Sequence, residues 1–187
     1  MLVSRSRGSV QWLEVSGFWN DMIFSFIARH GHSLHIFCIR MSDVINIVVI
    51  QVAPKLATIT YLDISCCKKM TSSSIEAPRK HCKALTHFSR NMHPHGTLGQ
   101  SRRDDEAFSI VEHMSHLKSL ELAYGLLTNV GNEVILSMCK ELEHLDIWGC
   151  WNIFMEDSLD KKCCKLKTLK GTVVNDYYDD GYNSHDD

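Results

Sequence analysis

Two segments of the chain carry one apolar pattern position for position. Ile59-Thr-Tyr-Leu62-Asp-Ile64-Ser-Cys-Cys67 places apolar anchors at its first, fourth and sixth residues and Cys at its ninth, and Leu142-Glu-His-Leu145-Asp-Ile147-Trp-Gly-Cys150 does the same. Weaker copies begin at Val10 (with Leu13 and Val15), Leu34 (Phe37, Ile39), Leu85 (Phe88), Leu117 (Leu120, Leu122) and Leu166 (Leu169). The starts fall at 10, 34, 59, 85, 117, 142 and 166, so the intervals are 24, 25, 26, 32, 25 and 24 residues. This period constrains the fold more than any composition does. A unit so short cannot bury its apolar face alone and must stack on its neighbours.

The pattern L-x-x-L-x-L-x-x-C at this period is that of a leucine-rich repeat, one short strand followed by a helix or tighter turn. The fold class it predicts is α/β: a right-handed leucine-rich-repeat solenoid of about six to seven short repeats, with parallel strands on the concave face and helices on the convex face. The solenoid is expected over residues 1–171, with a rim loop at 89–106 and a flexible acidic tail at 172–187. Helices are expected at Asn20 to Arg29, Ser42 to Val52 and Glu106 to Met114. Others should start near Ser73, capped by the Thr71 hydroxyl, and after Thr128, where Val130, Val134, Ile135 and Met138 have helical spacing. Pro78 should shorten or kink its helix, and Asn46 to Gln51 is unusually β-branched for one. Asp104 or Asp105 is placed to cap the helix that follows the long loop.

Eight Cys among 187 residues invite a disulfide framework. Against it, the N-terminal residues form no apolar signal region and no N-x-[ST] acceptor occurs. The expectation is a reducing compartment inside the cell, nucleus or cytoplasm, with free thiols. The repeat supplies a reason for them. Leu56, Cys82, Met114, Cys139 and Cys163 stand three residues before successive strand starts, and Cys67 and Cys150 form a second column, so at least five thiols should be core packing. A metal site is disfavoured by the lack of C-x-x-C and by the adjacent pairs Cys66-Cys67 and Cys163-Cys164. His113 and His116 lack a third ligand. The apolar run from Val44 to Ala53 is about half the length that crosses a bilayer, and the formal charge of -2 is not a nucleic-acid footprint. Nucleotide, hydrolase and zinc-protease motifs are missing. Neither enzyme activity, cofactor, metal, nucleic acid nor membrane is therefore expected.

Side chains alternate across a strand, so the x positions line the exposed sheet. One column reads Trp12, Ile36, Tyr61, His87, Ser119, His144, Thr168; the next Glu14, Cys38, Asp63, Ser89, Glu121, Asp146, Lys170; a third Ser16, Arg40, Ser65, Asn91, Ala123, Trp148, Thr172. The candidate binding face is Trp12, Tyr61, Asp63, His87, Glu121, His144, Asp146 and Trp148, because large rings are enriched at interface hot spots. Glu121 and Asp146 should oppose each other on adjacent strands, a destabilising pair unless a cation or basic partner relieves it. After Lys170 no Lys or Arg follows while five Asp do. Without them, 17 acidic residues stand against 20 basic ones in the rest.

The stretches DDEAFSIVEHMSHLKSLEL and LTNVGNEVILSMCKELEHLDIWGCWN, then KKC and the Asp/Tyr-rich end, resemble the plant F-box/LRR-repeat proteins of the SKIP19-like and F-box/LRR-repeat 23 type. Residues 104–187 carry the resemblance; residues 10–88 share the strand anchors alone. The elements Met70-Thr71, Leu127-Thr128-Asn129-Val130-Gly131 and Ile153 match the family's helix-opening motif. The resemblance implies a non-catalytic receptor that presents a protein substrate to an SCF-type E3 ubiquitin ligase in ubiquitin-dependent degradation. Repeat-like sequence begins by Val10, and Ser16-Gly17 follows Trp12-Leu13-Glu14-Val15 where an F-box would have Pro. The F-box is thus expected to be missing, with a Skp-type adaptor and cullin as partners only if one is supplied. The alternative is a truncated interaction module without a ligase role, competing for the receptor's target. Trp12, Phe18 and Trp19 at an uncapped end predict marginal stability or self-association.

Overall fold

A computed structural model describes residues 10–17, 31–94, 104–154 and 161–172. Seven strands lie in one sheet in chain order: β1 (Trp12–Ser16), β2 (Ile36–Arg40), β3 (Tyr61–Asp63), β4 (His87–Ser89), β5 (Ser119–Glu121), β6 (His144–Asp146) and β7 (Thr168–Lys170). Every neighbouring pair is parallel. Each strand begins two residues after one of the repeat starts. Among the described residues helices lie in the returns, including α1 (Asn46–Val52), α2 (Ser72–His81), α3 (Asp105–His113) and α4 (Asn129–Met138). They pack on one another in sequence, α1 on α2, α2 on α3 and α3 on α4. Parallel strands joined by helices in strict chain order make this the α/β leucine-rich-repeat solenoid implied by the spacing. The segment Asn20 to Arg29, with Phe18 and Trp19, lies outside the described residues, as do 95–103 of the long loop and 173–187 of the tail.

The anchors form the core between sheet and helices. Leu34, Ile59, Leu85, Leu117 and Leu142 are buried, as are the second anchors Phe37, Leu62, Phe88, Leu120 and Leu145. In the terminal repeats Leu13, Val15, Leu166 and Leu169 are only partly covered. The chain turns into each strand through one recurring hydrogen bond. The carbonyls of Leu56, Cys82, Met114, Cys139 and Cys163 accept the N–H three residues on, at 2.9–3.3 Å. A small or soft side chain suits this tight, buried corner, which explains the first cysteine column. The second column works by donation: the Cys67 thiol reaches back one repeat to the Ile39 carbonyl, and Cys150 to that of Leu122, both at 3.2 Å.

All eight cysteines are free thiols. Burial disfavours the thiolate, pushing Cys67 and Cys139 up to about 11 and Cys82 and Cys150 up to about 12.

The third anchor column breaks its pattern at Gly171 in the last repeat and, inside the solenoid, at the fourth repeat. Where other repeats have Ile39, Ile64, Leu122 and Ile147, the fourth has Arg90, only 4% exposed. Its guanidinium donates to the carbonyls of Met70 at 2.7 Å and Cys67 at 3.4 Å, and pairs with Glu106 at 2.7 Å. A buried charge is tolerated only when paired and hydrogen-bonded in this way. The bond to Glu106, in the first turn of α3, ties the end of the long loop to the preceding repeat.

The eighth residue of five repeats adopts a left-handed backbone: Gly17, Met41, Cys66, Tyr124 and Gly149 have φ of 69°, 51°, 59°, 57° and 70°. In these five repeats the turn follows the strand and redirects the chain over the rim. A Cβ at Gly149 would strike the Tyr124 ring as well as face the left-handed penalty. Gly149→Ala is therefore expected to cost about 2 kcal/mol or more, read as a drop in the denaturation midpoint. An unchanged midpoint would show that the turn relaxes freely.

The helices differ from their sequence-based expectations in three respects. Thr71 and Asp104 occupy N-cap positions, but neither side chain caps its own helix. Each instead joins neighbouring repeats. Asn46 accepts the Thr71 N–H at 3.0 Å and donates to the Thr71 and Ser73 hydroxyls at 2.8 Å. Asp104 accepts the Thr128 N–H at 2.9 Å and its O–H at 2.6 Å, while Asn129 accepts the Phe154 N–H at 2.8 Å. Only Thr128 caps its own helix, accepting from Val130 N–H at 3.2 Å. Second, Pro78 does not shorten α2, which runs ten residues through it; Pro78 and Ile75 are buried against the core, and the Cys82 N–H still reaches the Pro78 carbonyl at 2.6 Å. Third, α4 buries Gly131, Asn132 and Ile135 and leaves Val130 and Met138 exposed.

Asn132 stands seven residues before Cys139, in the column of Val49, Ile75 and Ala107, and both its side-chain polar atoms are buried without a partner. Asn132→Ala removes an unsatisfied amide and improves helix propensity. It is expected to raise unfolding stability by about 1 kcal/mol in urea denaturation. A loss of that size would mean that the amide is satisfied, for instance by buried water.

Candidate functional site: the open face of the sheet

The face of the sheet away from the helices is built by strand register. Trp12, Ile36, Tyr61, His87, Ser119, His144 and Thr168 align as one row, and Glu14, Cys38, Asp63, Ser89, Glu121, Asp146 and Lys170 as the next. The ladder continues past the strands, since Tyr124 N–H bonds the Trp148 carbonyl at 2.7 Å and Cys66 N–H that of Asn91 at 2.8 Å. Alternation thus brings all eight candidate residues onto one surface.

Their accessibility is uneven. Trp12 is 65% exposed and His144 is exposed. Tyr61 is half-buried: its ring lies 6.0 Å from that of His87, and its hydroxyl is 3.2 Å from Ser89 Oγ. Burial raises its pKa. Asp63 is only 3% exposed, so it is not a contact residue, and Cys38, Ser65 and Ser89 in the same rows are also buried. The cause is local cover. Arg40 donates to Asp63 at 2.5 Å and to Glu14 at 2.6 Å, while the Asn91 N–H bonds Ser65 Oγ at 3.1 Å. Asp63 also accepts the Ser65 N–H at 2.9 Å. This Glu14–Arg40–Asp63 ladder links the first three strands across the open face.

The Glu121 and Asp146 pair is in register, yet the chain itself relieves the repulsion expected of it. Lys170 binds Asp146 at 3.0 Å, the other Asp146 oxygen accepts the Trp148 N–H at 3.0 Å, and the Asn91 amide donates to Glu121 at 2.9 Å. The hydrogen bond to Asp146, with the fields of Asp146 and Glu121, raises the Lys170 pKa. Lys170 belongs to the site and was not among the candidates, nor were Arg40 and Asn91.

Trp148 is 45% exposed, and beyond it in the chain Trp151 and Phe154 are exposed as well, at 47% and 60%. The last two were missed because they lie beyond the alternating segment, where spacing no longer reports which way a side chain faces. Among the described residues no group of three His, Cys, Asp or Glu side chains could hold a metal ion, and no helix is long and apolar enough to cross a membrane. The surface presents aromatic and charged groups on a sheet, residue types enriched at recognition surfaces.

No protein-family model matches the chain. It is 41% identical over 96% of its length to the F-box protein FBW2 of Arabidopsis thaliana, covering 56% of that protein. It is 30% identical over 90% of its length to a putative F-box/LRR-repeat protein 23 and 28% identical over 86% to the F-box protein SKIP19, both from Arabidopsis thaliana, covering 38% and 51% of them. The chain thus spans about half the length of the known relatives it matches. A solved internalin from Listeria monocytogenes superposes with a TM-score of 0.49 at 16% identity, over 86% of this chain and 46% of that one. By sequence similarity and by the register of its repeats, the chain is a leucine-rich-repeat homologue of the plant F-box/LRR-repeat proteins.

Proposed function

We propose that the open sheet face is the substrate-recognition surface of an F-box-type subunit of an SCF ubiquitin ligase, acting in ubiquitin-dependent protein degradation without catalysis of its own. The observation that carries this reading is the exposed aromatic and polar row on a sheet, in a chain whose relatives are F-box proteins. In this reading an F-box contributes the contact to a Skp-type adaptor and hence to the cullin, and the repeats contribute the protein target. The free thiols fit a reducing compartment, nucleus or cytoplasm.

The test uses the chain alone and the chain with a family F-box fused ahead of Val10, each pulled down with a plant Skp-type adaptor. The fused form is expected to bind the adaptor and, in plant extract, to recover ubiquitin-conjugated proteins whose yield falls with Trp12→Ala and Trp148→Ala together. Adaptor binding with an undiminished yield in that double variant would overturn target recognition by this face.

A further inference from the structure

The charges on the open face are unequal. Glu14, Asp63, Glu121 and Asp146 are four acids, against Arg40 and Lys170. Arg40 is held between Glu14 and Asp63, and Lys170 is bonded to Asp146. Glu121 alone has no cation bonded to it. One of its oxygens accepts from the neutral Asn91 amide, and among the described residues the other accepts no hydrogen bond. Anything that covers Glu121 must supply a donor, because a carboxylate dried without a partner is costly. A neutral occupant can offer only an uncharged N–H or O–H, a weaker partner than a cation, and an acidic one is repelled.

Near this carboxylate stands Trp148, which is 45% exposed. Trp148 lies two residues beyond Asp146, which is in register with Glu121, so its Cα is about 8 Å from that of Glu121 by strand geometry. Its row neighbours are small, Ala123 on one side and Thr172 on the other, and nearly half of the residue is accessible. The turn beneath it is pre-set: the Trp148 N–H is bonded to Asp146 and Gly149 sits on the Tyr124 ring. A flat cation that stacks on an indole and donates in the same plane matches such a pair, and arginine is that side chain.

We propose that the C-terminal end of the open sheet face takes a basic peptide segment, an arginine of which stacks on Trp148 and pairs with Glu121. The inference rests on the recognition reading above and adds to it the chemical class of the target. Binding through a charge pair on an open face weakens with added salt.

The experiment pans a random dodecapeptide display library against the immobilised full chain, with parallel panning against Trp148→Ala and Glu121→Gln. Both side chains are partly exposed and the amide retains an acceptor for Asn91, so both variants should keep the parent circular dichroism. Arginine-rich peptides should be enriched on the parent, lost on Trp148→Ala, and bound about tenfold more weakly by Glu121→Gln, as expected for one charge-assisted hydrogen bond. Enriched peptides that need Trp148 but are acidic or indifferent in charge would overturn the inference and leave recognition by this face standing. Peptides recovered equally on both variants and on Trp12→Ala, or no enrichment on any, would overturn both.

Discussion

Stability is expected to be level from neutral pH to about pH 8.5 and then to fall steeply above pH 9. Cys67, Cys82, Cys139 and Cys150 are buried thiols whose values are raised from 9.0 to about 11 or 12. Their folded pKa exceeds the unfolded one, so their contribution is complete below pH 9. It is lost as pH rises toward the folded values, because only the unfolded chain then sheds the protons. Each group changes stability by about 1.4 kcal/mol per pH unit in that window. Four of them together remove about 5 kcal/mol by pH 10, comparable with the whole stability of a small domain. Urea denaturation at pH 8, 9 and 10 measures it. Cys82→Ala, though less stable at neutral pH, should show about a fifth less slope, because the buried Cys38 is raised to about 11 as well. A flat profile to pH 10.5 would mean that these thiols are solvated in the folded chain, contrary to their burial.

Arg90→Ala is expected to destabilise the protein by about 3–5 kcal/mol. The substitution leaves a void in an anchor column, deprives the Met70 and Cys67 carbonyls of their donor, and strands Glu106, which is partly buried. Restoring an apolar anchor should recover part of the loss. Arg90→Leu with Glu106→Gln fills the column as Ile64 and Leu122 do and removes the orphaned charge, so the double variant should be markedly more stable than Arg90→Ala. If Arg90→Ala costs under about 1 kcal/mol, the ion pair is a surface pair in effect. The site lies at the foot of the long interval between the fourth and fifth repeats, so the same comparison asks whether that insertion is tethered through Glu106.

The two halves of the open face illustrate how far spacing reaches. Row membership of Tyr61, His87, Glu121, Asp146 and Trp148 follows from alternation alone, and the register reproduces it strand by strand. Accessibility does not follow. Asp63 and Asp146 hold equivalent positions, yet Asp63 is covered because its neighbour in the preceding repeat is Arg40, whereas Asp146 is reached by Lys170 from the following one. Likewise Thr71 and Asp104 have the chemistry of helix caps, but the Thr71 hydroxyl is taken by the Asn46 amide and the Ser73 hydroxyl, and Asp104 by Thr128 of the next repeat.

The amino-acid sequence by itself determined the repeat, the parallel α/β solenoid, the apolar core columns and the reason for most of the cysteines. These depend on period and alternation, which are properties of the backbone and of neighbouring residues. Only the tertiary structure decided where polar groups find their partners: the Arg90 cluster, the ladder over Asp63, the relief of Asp146 by Lys170, the left-handed turn shared by Met41, Cys66 and Tyr124, and the exposure of Trp148, Trp151 and Phe154. Most of these contacts join residues some 16 to 30 positions apart that stacking brings side by side, and a hydrogen bond is settled by that distance in space rather than by spacing along the chain.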